Sequence, residues 1–170
     1  MKQILMCLET NERSNTDYVY ITCTLERFYE HTKTIKYKPI YLESKSKYQD
    51  RKKQKEINNA KRAYSGETAV IYFIDMDEYS VRPEDKKLLD QIKDFCIEKG
   101  YDLVFFNKDI EDVYWRQQLP NTEKVEKAAQ FRAKRIINNI SIDAISSTTI
   151  SRHQSNILRI LDKYWTRKVI

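Results

Sequence analysis

The chain has 170 residues and a net charge of +6, with 41% hydrophobic residues, twelve tyrosines, two glycines and three prolines. This length suits one domain, or one domain with an appendage, and it suffices to bury a sizeable core. The scarcity of glycine and proline disfavours an all-β sandwich, which needs many tight turns, and favours an α/β or helical domain.

The cysteines and the hydropathy indicate the compartment in which the protein is expected. The three cysteines lie far apart without Cys-x-x-Cys or Cys/His spacing, which disfavours structural zinc and favours a reduced, intracellular protein. The sequence shows neither a signal peptide nor an apolar run of membrane-spanning length. We therefore expect a cytoplasmic protein that makes no membrane contact.

Two strands and a helix are predicted in the first quarter of the chain. Lys2–Leu8 is a short apolar run and predicts the first strand. Apolar residues at helical spacing predict a helix from Asn15 or Thr16 to about His31. Thr34–Leu42 alternates between apolar and polar residues and predicts a second, weaker strand.

The segment 44–62 carries the whole excess of positive charge. It holds eight basic residues against two acidic ones, and it is predicted to be helical from Asp50 to Tyr64. Such a localised excess is typical of contact with a phosphate backbone, and a solvated helix face is the alternative. The residues predicted to bind nucleic acid are Lys45, Lys47, Arg51, Lys52, Lys53 and Lys55.

The middle of the chain predicts two further strands around a helix. Thr68–Ile74 is nearly all apolar, which is typical of a central strand. Pro83 suits the first turn of an amphipathic helix that ends at Gly100, and Tyr101–Phe106 predicts the fourth strand. The alternation of strands and helices predicts an α/β fold with a mostly parallel four-stranded sheet flanked by helices.

The remainder of the chain is predicted to be mostly helical. We expect helices over Asp109–Gln118, Thr122–Ile140 and Ser151–Trp165. The chain therefore divides into an α/β core, residues 1–118, and a helical C-terminal extension, residues 119–170, packed on that core.

An acidic group follows the predicted central strand. The apolar run ends abruptly in Asp75, Met76, Asp77 and Glu78. Two carboxylates that are two residues apart point the same way in an extended chain. They repel each other unless a cation, a proton or a lysine separates them. A divalent metal ion is one interpretation, and an acidic strand end leading into a solvated loop is the other.

Polar residues also follow the neighbouring strands. Because ligands bind at the carboxyl ends of parallel strands, Glu9 and Asn107 are expected beside Asp75 and Asp77. We predict that Glu9, Asp75 and Asp77 bind Mg²⁺ or Mn²⁺, with Glu9 also a candidate general base. Glu111 would face the same site if a helix begins at Asn107. The alternatives are a helix cap for Asn107 and a partner of the helix dipole for Glu111.

A glutamate after the first strand and an Asp-x-Asp pair after a later strand resemble the Toprim domain. In that family the acidic residues bind Mg²⁺ for phosphodiester chemistry in topoisomerases, primases and nucleases. The segment Cys7–Glu12, followed by Thr16–Tyr18, resembles the family's strand, glutamate and helix start. Thr10 stands where the family usually has glycine.

The resemblance extends to RloB-like proteins, small Toprim-related proteins found near restriction and phage-defence genes. The stretch Asn107–Trp115 resembles their Ser-Asn-Pro-x-Phe-Glu-x-Trp motif, with Asn107 and Glu111 matching in type and spacing. Ser146–Ile150 resembles their Ser-Thr-rich turn before a final helix. Phe106, Lys108 and Ile110 stand where the motif has serine, proline and phenylalanine.

Three functions are consistent with these features. The resemblance implies a Mg²⁺-dependent nuclease, acting on DNA or RNA, in which Glu9, Asn107 and Glu111 are catalytic. The second hypothesis is a nucleic-acid-binding or regulatory subunit that does not cut. The third is an assembly subunit that activates a partner protein encoded by a neighbouring gene. The sequence leaves the oligomeric state open.

Overall fold

Four parallel strands form one sheet at the centre of the computed structural model, which describes residues 1–169. The strands are β1 (Lys2–Leu8), β2 (Ile35–Tyr41), β3 (Glu67–Asp75) and β4 (Asp102–Phe106). Their order across the sheet is β2-β1-β3-β4, and every neighbouring pair is parallel. This arrangement confirms the predicted α/β class with helices flanking a four-stranded sheet.

Three helices connect the strands: α1 (Thr16–Phe28), α2 (Arg51–Ala63) and α3 (Pro83–Lys99). Asp50 caps α2, because its Oδ1 accepts hydrogen bonds from the first free backbone N–H groups of that helix. Gly100 ends α3 in a left-handed conformation, with φ at 66°, as its position in the sequence predicts.

Four shorter helices follow β4. They are α4 (Ile110–Trp115), α5 (Lys124–Ala133), α6 (Ile142–Ile145) and α7 (Ile157–Leu161). Single 3₁₀ turns lie at Lys45–Lys47, before α2, and at Ile136–Asn139, after α5.

The helical predictions for the C-terminal part need correction. The helix predicted over Thr122–Ile140 is divided, because Arg135 adopts a left-handed conformation with φ at 50° that ends α5. The helix predicted over Ser151–Trp165 is reduced to α7, since His153, with φ at 58°, lies in an irregular segment. Helix α1 ends at Phe28 rather than near His31, because Tyr29 is already extended.

The sheet separates two apolar layers. Along β1, Ile4, Met6 and Leu8 face one layer with α1, α4, α5 and α7, whereas Leu5 and Cys7 face the other with α2 and α3. This alternation explains why a strand buried on both faces reads as a continuous apolar run. The three cysteines are buried and unpaired.

The proposed C-terminal extension shares the first of these layers. Ala128 and Phe131 of α5 and Leu158 of α7 belong to the same apolar cluster as the β1 residues. The boundary at residue 118 stays a prediction, and Ile170, the last residue of the predicted extension, lies outside the described residues. None of the helices formed by residues 1–169 has the length and apolarity needed to cross a bilayer.

A candidate acidic site at the carboxyl edge of the sheet

Strands β1 and β3 are neighbours at the point where the strand order reverses. The chain leaves β1 towards β2 on one side, and β3 lies on the other side of β1. Ligands of open parallel sheets bind at the carboxyl ends of such strands. Glu9 follows β1 and Asp75 ends β3, and Glu9 Oε1 accepts a 2.6 Å hydrogen bond from the Asp75 backbone N–H. The structure therefore places both predicted residues at the reversal point.

Asp75 joins three parts of this edge. Its Oδ1 accepts a 3.0 Å hydrogen bond from the backbone N–H of Ile110, the first residue of α4. Its carbonyl oxygen accepts a 2.9 Å bond from Lys45 Nζ, which comes from the 3₁₀ turn after β2. Asp75 thus ties the end of β3 to α4 on one side and to the basic segment on the other.

Asp77 has a different environment from Asp75. Strand β3 ends at Asp75, and Asp77 is left-handed with φ at 47°, so strand alternation no longer sets its direction. Its half-exposed carboxylate forms an ion pair with Lys45. Lys45, which we predicted to bind nucleic acid, therefore neutralises Asp77.

Glu111 is the most deeply buried acid of the site, with 1% of its surface exposed. Its Oε2 accepts a 2.9 Å hydrogen bond from Nζ of Lys124, and Lys124 is the first residue of α5. Lys124 Nζ also lies 3.2 Å from Asp109 Oδ2. Glu111 Oε1 is buried and has no hydrogen-bond partner among residues 1–169. A buried carboxylate oxygen without a donor is costly, which suggests that the site accommodates a further cation or donor.

The start of α4 differs from the prediction. The helix begins at Ile110, and Asp109 caps it by accepting a 2.7 Å hydrogen bond from the Asp112 N–H. Asn107 therefore lies before the helix, so helical spacing does not relate it to Glu111, and the capping role belongs to Asp109. Asn107 instead lines a cleft beside the acidic edge.

This cleft has a volume of about 570 Å³ and mixed charge. Its lining includes Asp77, Asn107, Lys108, Arg116 and Arg152. A cavity of this size is ordinary for a ligand site, and the basic side chains suit an anionic ligand.

Backbone strain is concentrated around the same edge. Six non-glycine residues within 1–169 have positive φ, and five of them surround the carboxyl ends of the strands. Non-glycine residues rarely adopt this conformation, and it accumulates at functional sites. The five residues are Glu43, Asp77, Lys108, Arg116 and His153.

The carboxyl groups of the site hold their protons unusually strongly. Burial, opposed mainly by Lys45, raises the pKa of Glu9 to about 8, with Asp17 and Asp77 raising it further. Burial and the Glu111 charge raise the pKa of Asp17 to about 7. Burial and the Glu9 charge raise the pKa of Asp75 well above its usual range. The site is therefore short of positive charge even with Lys45 and Lys124 present.

Several residues of the site were missed by sequence reasoning. Asp17 is 6% exposed in the first turn of α1, and Asp112 is 3% exposed. Asp112 Oδ2 lies 2.8 Å from His153 Nδ1, so this histidine is not a surface residue. The sequence does contain a signal, because Glu111 and Asp112 interrupt an otherwise apolar helix. Nothing in the sequence around Lys124 indicates that it belongs to the site.

The other predicted nucleic-acid-binding residues divide into two groups. Lys47 and Lys53 form ion pairs with Glu43. Arg51, Lys52 and Lys55 are exposed on α2 and form no ion pair with any residue between 1 and 169. The second group remains available for a phosphate backbone.

The donor chemistry of the edge fits Mg²⁺, which prefers carboxylate oxygens. The unpartnered Glu111 oxygen and the raised pKa values both indicate unmet demand for positive charge. In the arrangement described for residues 1–169, however, no three Asp, Glu, His or Cys side chains form a group able to hold a metal ion. Lys45 is the cation beside Asp77, and a metal would require it to move.

Comparison of the chain with protein-family models, curated proteins and solved structures gives no match.

Proposed function

We propose that the chain is a Mg²⁺-dependent nuclease of the Toprim-like, RloB-like kind, with phage defence as its setting. The main support is the group of buried and partly buried carboxylates at and beside the β1/β3 reversal point, whose pKa values are raised and which includes an unpartnered oxygen of Glu111. An adjacent cleft with basic side chains suits a phosphate backbone.

In this proposal Glu9, Asp75 and Asp77 hold the ion, which when bound polarises the phosphate and favours attack by water. The remaining roles belong to the side chains of the chain itself. Lys45, once released from Asp77, contacts a phosphate oxygen, and Asn107 orients the strand in the cleft. Lys124 neutralises the buried Glu111 and so stabilises the folded structure around it.

The direct test is cleavage of labelled single-stranded DNA, double-stranded DNA and RNA with Mg²⁺, with Mn²⁺ and with EDTA. We expect Glu9→Gln and Asp75→Asn each to lower the cleavage rate by about 100-fold or more, as loss of a catalytic group does. Asp90→Asn is the matched control, because it removes one exposed carboxylate that pairs with Lys86 on α3. Its rate should stay within about two-fold of the unchanged protein.

Metal binding is measured separately, by titrating the same variants with Mn²⁺ and following its electron paramagnetic resonance signal. We expect the number of bound ions to fall in Asp75→Asn and not in Asp90→Asn. Cleavage that survives both Glu9→Gln and Asp75→Asn would contradict a nuclease at this edge.

A second candidate function is nucleic-acid binding without cleavage, as a regulatory subunit of a defence complex. It is favoured by the lysines that already neutralise the acids: Lys45 pairs with Asp77 and Lys124 with Glu111. This function predicts salt-sensitive binding and no turnover. Lys52→Gln and Lys55→Gln should each reduce the slope of the logarithm of the binding constant against the logarithm of salt concentration by about one. Lys99→Gln, on α3, should leave that slope unchanged. A partner protein from a neighbouring gene should then co-purify with the chain.

A further inference from the structure

A hollow of about 400 Å³ lies at the ends of α1 and α5, away from the acidic edge. Three arginines line it and come from three parts of the chain: Arg27 from the end of α1, Arg132 from α5, and Arg135 from the turn that follows α5. The rest of the lining is Cys23, Glu26, Ile137 and Asn138.

Two of the arginines have hydrogen-bonding capacity that the protein does not use fully. Arg27 Nε is buried and has no hydrogen-bond partner among the described residues. Arg132 donates to Thr22 Oγ1 and, over 3.5 Å, to Glu26 Oε1. A buried guanidinium N–H without an acceptor is unfavourable unless a ligand supplies one. The lining of the hollow thus includes a guanidinium group with an unused donor as well as a surplus of positive charge.

Arg135 lines the hollow and has an unfavourable backbone conformation. It is the one non-glycine residue with positive φ within 1–169 that lies outside the strained carboxyl edge, with φ at 50°. A non-glycine residue in the left-handed region is strained, and such strain tends to occur where a side chain is needed for function. Glycine would relieve this strain, yet the position carries an arginine.

The charge of the hollow selects the chemistry of its ligand. Three guanidinium groups and one carboxylate, that of Glu26, line the hollow, so its side chains carry a surplus of positive charge that favours an anionic ligand. Guanidinium groups bind phosphate oxygens in pairs, with a geometry that ammonium groups do not offer. The volume falls within the range of small-ligand sites. We propose that this arginine hollow binds a phosphate group, carried either by a free nucleotide or by a nucleic-acid strand.

The hollow is separate from the acidic site, and this proposal does not depend on the nuclease. Asp17, at the acidic edge, and Arg27 are ten residues apart on α1, which corresponds to about 15 Å. Lys124 and Arg132 are eight residues apart on α5, which corresponds to about 12 Å. The two sites therefore lie at opposite ends of the same pair of packed helices.

The test is calorimetric titration in EDTA with three probes: inorganic phosphate, adenosine monophosphate and a short single-stranded oligonucleotide. Similar affinity for the nucleotide and the oligonucleotide supports a nucleotide site. Much tighter, strongly salt-dependent binding of the oligonucleotide supports a strand site. Failure of both the nucleotide and the oligonucleotide to bind at millimolar concentration would overturn the proposal.

Variants assign the binding to the hollow. We expect Arg27→Gln and Arg135→Gly to weaken binding by about ten-fold or more, because each removes a charged donor. Lys134→Gln is the matched control, since it removes one exposed charge beside Arg135 without lining the hollow. Loss in the arginine variants no greater than in Lys134→Gln would contradict the assignment.

Two further measurements keep the result interpretable. Arg135→Gly relieves backbone strain, so its circular dichroism and melting temperature should show an intact fold even if Arg27→Gln unfolds. Asp90→Asn should retain the binding in EDTA, because Asp90 lies on α3 and does not line the hollow. Failure of the nuclease proposal would appear as unchanged cleavage in Asp75→Asn, and failure of the hollow proposal as unchanged binding in Arg135→Gly.

Discussion

Helices α1 and α5 run from a site of buried negative charge to a site of exposed positive charge. At their first turns, Asp17 and Lys124 pack around Glu111, which is 1% exposed. At their other ends, Arg132 and Arg135 are exposed and Arg27 is partly exposed. The same two helices therefore carry ionised groups in two very different dielectric environments.

The difference determines how each end should respond to mutation. Charges in the interior interact strongly and are costly when left unpaired, whereas exposed charges contribute little to stability. We therefore expect changes at the acidic end to alter the free energy of unfolding. Changes at the arginine end should alter ligand binding and change the free energy of unfolding by about 1 kcal/mol or less.

The largest effect is expected for Lys124→Ala. It removes the partner of Glu111 and leaves a carboxylate buried without a counter-charge, which should lower the free energy of unfolding by about 3 kcal/mol. Urea denaturation at pH 8 measures this change. Lys127→Ala, one turn further along α5, removes a lysine that lies 5.2 Å from the centre of the Trp115 ring. The control should lose about 1 kcal/mol or less. Equal losses would show that Glu111 is not held by Lys124.

The pH dependence of stability is the next largest effect. The folded pKa values of Glu9, about 8, and Asp17, about 7, lie above their ordinary values of 4.5 and 3.8. Between these limits the two groups bind more protons in the folded chain than in the unfolded chain, so their contribution to stability is greatest at low pH and falls as pH rises. In EDTA we expect the free energy of unfolding to fall by about 2 kcal/mol or more from pH 5 to pH 9, measured by urea denaturation. A rising or flat profile would contradict the raised pKa values.

Much of the framework was predictable because it depends on local patterns. The bounds of β1 agree with its apolar run, and the ends of β3 and β4 place Asp75 and Asn107 at one edge. The partners of the acids were not predictable. Lys45 meets Asp77 across 32 positions, and no periodicity reports a contact between side chains so distant in the sequence.

The C-terminal helices also show what a sequence pattern does not predict. The apolar pattern of 122–140 continues through Arg135, so the pattern alone predicts one helix. The division arises from a left-handed arginine, a conformation that residue type does not favour. Asp17 was missed for a related reason: an acid in a first helical turn is expected to be solvated, whereas here it is buried beside Glu111 of α4 and Lys124 of α5.

Asp17→Asn distinguishes the effect of the Asp17 charge on stability from the effect of how its side chain packs. At pH 9 the carboxyl group is ionised and repelled by Glu111, so a neutral amide of similar size should raise the free energy of unfolding by about 1 kcal/mol. At pH 5 the folded carboxyl is already protonated while the unfolded one is largely ionised, so the gain should be smaller than at pH 9 and should grow as pH rises. Thermal melts of the variant and the unchanged chain at both pH values measure this. A gain at pH 5 as large as at pH 9 would mean that packing, not charge, is responsible.

The smallest effect on stability, and the one that tests the arginine end most specifically, is expected for Arg135→Gly. Glycine adopts positive φ readily, so relief of the φ of 50° should raise the free energy of unfolding by about 0.5 to 1 kcal/mol. Lys134→Gly is the matched control, because Lys134 has φ at −90° and glycine there only adds freedom to the unfolded chain. It should lower the free energy of unfolding by about 0.5 kcal/mol, so the two neighbouring substitutions should have opposite signs in urea titrations. If both destabilise equally, the arginine is retained for packing rather than for its charge. If they differ in sign while phosphate binding is lost only in Arg135→Gly, the chain gives up stability at that position in order to present a guanidinium group to the hollow.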